Sequence, residues 1–91
     1  MNKTTINTGF GILVLDRGNV IAGDYEFTDE SQIITVKNGS VVRRWGTTRG
    51  LGQIAENGPT DDTKLDPLNR DAFVAKSALV YIVDADRSKW L

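Results

Sequence analysis

Over most of this chain the apolar residues recur with a period close to two, and that spacing constrains the fold more than any other feature. A period of two describes strands whose side chains alternate between faces, so the chain must build a sheet and cover it. Phe10–Leu15 is apolar on both faces and reads as a central strand or one covered by a partner. The DRGN stretch at Asp16–Asn19 is turn chemistry, with Gly18 free to take positive φ. From Val20 to Phe27 the strand returns. Ile21, Tyr25 and Phe27 fall on one face and Asp24 and Glu26 on the other, which predicts one buried and one wet side.

The strongest local turn signal is Asn38-Gly39. Set between QIITVK and SVVRRW, it is the preferred pair for a type I′ turn and predicts a hairpin over Ile33–Trp45. That register puts Val36 opposite Val41 and Ile34 opposite Arg43, with Arg44 on the other face. GTTRGLGQIAENGP then predicts one short helix, with Thr47 or Thr48 as N-cap and Leu51, Ile54 and Ala55 at i, i+3 and i+4. Gly58 followed by Pro59 supplies its stop. Asp61–Asp71 reads as an acidic loop interrupted by a short strand near Lys64–Leu65. Ala72–Val83 has strand character again, and its ALVYIV run, apolar on both sides, predicts a central position. Asp84 or Asp86 is placed to cap a final turn through Lys89, with Trp90 folding back onto the sheet. The expected class is mainly β: a small antiparallel β-barrel or curled sheet of SH3-like or oligonucleotide-binding size, with one short inserted helix. A single small domain over residues 1–91 accommodates it.

Composition narrows the chemistry. The chain has no cysteine and no histidine. Disulfides, thiol nucleophiles, cysteine-held metals and imidazole bases are therefore excluded, and Ser31, Ser40, Ser77 and Ser88 have no histidine to activate them. Asp61, Asp62 and Asp66 lack the order of a calcium loop. These absences predict a non-enzymatic protein with no catalytic residues, no cofactor and no metal. No apolar run approaches the roughly 20 residues needed to span a bilayer, and MNKTTINTGF lacks the apolar core of a secretory signal. The expectation is a cytoplasmic protein with no membrane partner.

A formal charge of -1 conceals a pattern. Residues 1–30 carry -3, residues 31–55 carry +4 with no acid at all, residues 56–71 carry -3 and the last twenty carry +1. The basic segment contains the chain's most specific constellation, Arg43-Arg44-Trp45-Gly46-Thr47-Thr48-Arg49-Gly50. A strand end leading into two hydroxyls and a helix start offers N–H donors and a positive dipole end to an oxyanion. Arginine adds planar bidentate donors, and Trp45 adds a surface on which a base can stack. The candidate ligand-binding residues are therefore Arg43, Arg44, Trp45, Thr47, Thr48 and Arg49, and the candidate ligand is a small, nucleotide-like anion. The bland alternative has a threonine capping the helix, Trp45 in the core and an arginine paired with Asp61 or Asp62. The segment is no P-loop, since G-x-x-x-x-G-K-[ST] is missing. Single-stranded nucleic acid is the competing partner, but a pI near 5.2 is far from the basic footprint such binders carry and favours a compact anion.

The run VVRRWGTTRGLGQIAENGP, followed after an acidic loop by AKSALVYIV, resembles an uncharacterised family of small proteins from tailed phages and prophages, centred on residues 40–58. The shared pattern is an arginine pair entering a tryptophan-bearing strand end, a small-residue turn, a short helix, a glycine and a closing strand that ends in acids. Here these are Arg43-Arg44-Trp45, Gly46-Thr47-Thr48, Leu51–Ala55, Gly58 and Ala78–Asp84. The family carries more aromatic residues in the turn than this chain does. The resemblance implies a mobile-element origin, residence in the host cytoplasm and no catalytic residues. By analogy with phage immune antagonists, it suggests a counter-defence sponge for host signalling nucleotides. So short a chain has little room for a deep pocket, so a homo-oligomer is expected to enclose such a ligand. The alternatives are a single-stranded nucleic-acid-binding barrel and a phage structural or adaptor protein that binds a protein partner.

Overall fold

A computed structural model describes residues 6–44 and 51–90. Among these residues, six strands form one antiparallel sheet with a single α-helix: β1 (Ile6–Leu15), β2 (Val20–Thr28), β3 (Ile33–Arg44), α1 (Leu51–Asn57), β4 (Lys64–Pro67), β5 (Ala72–Ala75) and β6 (Leu79–Asp84). The lateral order is β4-β3-β2-β1-β6, and β5 lies beyond β4 along the same side of β3. The DRGN turn joins β1 to β2, and both Arg17 and Gly18 take left-handed φ there, at 59° and 80°.

Apolar residues on both faces of the sheet give it two cores. On one side Ile12, Val20, Ala22 and Val42 pack under Ile54 and Ala55 of α1, with Trp90 folded back against Phe10. On the other side Leu13, Leu15, Ile34, Val36 and Val74 form a second cluster with no helix above it. Leu13, Ile34 and Val36 are nevertheless fully buried. Burial without a covering layer requires the sheet to curl over its own concave face. The connection from β5 to β6 enforces this curl, because the 3-10 turn Lys76–Ala78 spans from one side of the sheet to the other in three residues. Three residues reach only about 10 Å. The two margins therefore approach without pairing, and the result is a curled sheet rather than a closed barrel.

Two local expectations are overturned. Asn38-Gly39 does not reverse the chain, and β3 runs straight through it. A type I′ turn needs positive φ at both central residues, whereas only Asn38 adopts it, at 53°. Asn38 and Gly39 instead face the single Gly23 between the pairs Ala22↔Ser40 and Asp24↔Lys37, which makes a β-bulge. The bulge depends on glycine opposite: a Cβ on Gly23 would lie 2.8 Å from the Gly39 Cα. Its extra residue shifts the alternation, so Val36 and Val41 share the concave face while Val42 turns to the helix side. The ALVYIV strand is also displaced, since among the described residues β6 pairs only with β1 and occupies the margin of the sheet.

Helix α1 follows its sequence signals. Ile54 and Ala55 are buried, Gly58 takes φ 81° and donates its N–H to the Ile54 carbonyl at 2.8 Å. The final 3-10 turn Arg87–Lys89 is capped by Asp86, whose carboxylate accepts from the Ser88 N–H at 3.1 Å and hydroxyl at 2.6 Å. Among the described residues, no helix is long and apolar enough to cross a membrane.

Candidate functional site

Strand β3 delivers Arg43 and Arg44 to its C-terminal end, where β4 runs antiparallel beside it. Their environments differ because the ladder is irregular between Val42 and Arg44, leaving Arg43 without a partner in register. The Arg43 guanidinium turns to Asp66, with Nε 2.6 Å from Oδ2, and both side chains are more than half exposed. Such a pair contributes well under 1 kcal/mol but occupies the arginine. Arg44 lies directly opposite Lys64. Like charges at opposed positions destabilise a sheet by a few tenths of a kcal/mol. Both are exposed, and neither makes an ion pair among the described residues.

Trp45, Thr47, Thr48 and Arg49 lie outside the described residues, as does the expected N-cap. The described part of helix α1 spans Leu51–Asn57. Of the six predicted ligand residues, the structure thus places two: Arg43 spent on a carboxylate, and Arg44 facing a second cation. Lys64 is the residue that sequence reasoning passed over. Its signal was present, because a strand near Lys64–Leu65 is legible, but the register that sets it against Arg44 is tertiary. Asp66, weighed above as a cation ligand with Asp61 and Asp62, serves Arg43 instead.

No family model, curated protein or solved structure matches this chain. The resemblance to phage proteins stays an expectation from residues 40–58, and the candidate site stands on its geometry.

A second feature lies toward the other end of the sheet. The Asp24 carboxylate accepts hydrogen bonds from Arg87 Nε at 2.9 Å and Nη2 at 3.2 Å, and from Asn38 Nδ2 at 2.9 Å. The hydrogen bond from Arg87, helped by Asn38, holds the Asp24 pKa below the ordinary carboxylate value, and Asp24 raises that of Arg87. This knot borders an open cleft of about 370 Å³ that also touches Thr8, Phe10, Glu26 and Lys37. Glu26 and Lys37 make no ion pair among the described residues. Asp24 and Arg87 are 63 positions apart, so no local pattern announces them.

Proposed function

We propose that this chain is a non-enzymatic binding protein for a small anionic, nucleotide-like ligand, held where β3 and β4 end. The observation that carries the reading is the Arg44–Lys64 pair. Two cations on opposed residues, exposed and without an ion pair among the described residues, leave a repulsion that a bound phosphate relieves. Trp45, Thr47, Thr48 and Arg49 follow Arg44 in the chain and supply the stacking surface and further donors. Arg43 acts through Asp66, steadying β4 against β3. An exposed cation pair does not enclose a nucleotide, so a second subunit completes the site. In the setting that the phage resemblance implies, such capture withdraws a host signalling nucleotide from its receptor.

Calorimetry with ADP-ribose, a cyclic dinucleotide and single-stranded oligo-dT tests the reading. One of the two nucleotides is expected to bind, with Arg44→Ala and Lys64→Ala each weakening it tenfold or more and Arg43→Ala less than threefold. Failure of both nucleotides to bind, or full affinity in Arg44→Ala and Lys64→Ala, overturns it. Tight oligo-dT binding that falls steeply with salt would instead favour the single-strand reading.

A further inference from the structure

Strand β1 is longer than the neighbour on its outer side. β6 pairs with it only from Gly11 to Leu15, and the last bond runs from the Ala85 N–H to the Phe10 carbonyl at 3.1 Å. The chain then leaves, with the Asp86 N–H bonding the Ala55 carbonyl. Among the described residues, Ile6–Phe10 has no strand beside it on that side. Leu15 bonds Asn19 across the hairpin, so the odd residues of β1 direct their backbone groups to β2 and the even ones direct them outward. Ile6 and Thr8 therefore present N–H and C=O groups to an empty ladder position in line with β6, with no partner among the described residues. The usual guards of a sheet edge are missing, since INTGF contains no charge, no proline and no bulge, and Ile6 is 63% exposed.

Two further observations fall at the same place. The open cleft starts at Thr8, Gly9 and Phe10 and extends inward over β2 and β3, where Arg87 is held by Asp24 and Glu26 and Lys37 make no ion pair among the described residues. The edge's nearest charge in the ladder is negative, because Thr8 pairs directly with Glu26. Asp29 and Glu30 follow at the same end of β2, and all three acids are exposed and without an ion pair among the described residues. Lys76 reaches this end but spends its ammonium on the Thr28 and Asp29 carbonyls and the face of Phe27.

We propose that the Ile6–Phe10 edge of β1 is a docking strand for an extended basic segment of a partner protein. The segment adds antiparallel to β1, end to end with β6, and lays a lysine or arginine from the position opposite Thr8 across to Glu26. Strands lie about 4.8 Å apart, so Glu26 is two strand spacings away and within reach of a long cationic side chain. Backbone bonds to Ile6 and Thr8 supply attachment, and the acids supply selection. A second copy is the poorer occupant, because its own INTGF edge is uncharged and offers Glu26 no cation. The site is independent of the proposed anion site, since Glu26 pairs with Thr35 near the start of β3 and Arg44 is at its end.

The test uses the full chain and two blocked heptapeptides, one alternating lysine with valine and its twin alternating glutamate with valine. The lysine peptide is expected to bind at least tenfold more tightly, to shift the amide resonances of Ile6–Phe10 and to slow exchange of the Thr8 N–H. Thr8→Pro removes that outward N–H without touching the β1–β2 ladder and should cost tenfold or more. Glu26→Lys should reverse the preference between the twins, and it carries the test alone if Thr8→Pro does not fold. Equal binding of the twins, no binding, shifts centred on β6, or full affinity in folded Thr8→Pro overturns the proposal. So does a concentration-dependent dimer that Thr8→Pro abolishes, which would assign the edge to a second copy.

Discussion

Gly18 and Gly58 form a matched pair that separates backbone strain from collision. Their φ angles are 80° and 81°, so alanine at either position pays the left-handed cost of about 1–2 kcal/mol. At either it recovers about 0.4–1 kcal/mol from a stiffer unfolded chain. Their surroundings differ. An added Cβ at Gly18 meets nothing within 4 Å, whereas at Gly58 it falls 2.5 Å from the Lys89 carbonyl oxygen. Restoring an ordinary contact of 3.4 Å pushes the Lys89 backbone out by about 0.9 Å. The segment cannot follow freely, because the Asp86 N–H is tied to the Ala55 carbonyl at 3.0 Å and Trp90 packs on Phe10 with ring centroids 5.8 Å apart. Losing that hydrogen bond costs about 1 kcal/mol, and loosening the ring pair costs about another. Gly18→Ala should therefore destabilise by about 1 kcal/mol and Gly58→Ala by about 3. For a domain of this size the first lowers Tm by roughly 4–8 °C and the second about three times as far. Urea and thermal denaturation of the two variants side by side, followed by circular dichroism and tryptophan fluorescence, measures the difference. Losses equal to within about 0.5 kcal/mol would refute the collision and the docking of the C-terminal turn against α1.

Other consequences can be checked more briefly. The folded-state pKa of Asp24 lies below its unfolded value near 3.8, so its contribution is present above that pH and is lost as pH falls through the lowered value. Asp24→Asn should flatten the acid limb of the stability curve below about pH 4, and an unchanged limb would contradict the Arg87–Asn38 knot. Ile54 and Ile34 belong to cores on opposite faces. Ile54→Val and Ile34→Val should each cost about 0.5–1.5 kcal/mol and sum to within about 0.5 in the double variant, whereas strong coupling would indicate a single core. Gly23→Ala should cost about 1–3 kcal/mol by forcing the bulge apart, and a neutral result in urea titration would remove Gly23 as its determinant.

Features decided by neighbouring residues were legible before any tertiary structure. The DRGN turn, Ile54 and Ala55 on one face of α1, Gly58 at its end and Asp86 capping the last turn all follow from steric and hydrogen-bonding rules acting within a few residues. Burial of β1 on both faces was legible too, because successive apolar residues can be covered only if both faces are. The position of β6 was not. Val83 packs toward the α1 side and Leu79 and Ile82 toward the curled side while Val80 and Tyr81 stay exposed, so an apolar run carries no information about pairing along the strand's edges. Asn38-Gly39 could turn or bulge with nearly the same local chemistry. Gly23 opposite and the pairing of both halves of β3 with β5 and β4 selected the bulge. The fates of the charges were likewise tertiary: Arg43 on Asp66, Arg44 facing Lys64 and Asp24 held by Arg87 each depend on strand register. Sequence by itself determined the class of elements and where they stop, since those are short-range choices. Among the described residues, tertiary structure decided which strand lies at the margin, which cations have no ion-pair partner and which edge has no neighbouring strand, since each depends on partners distant in the chain.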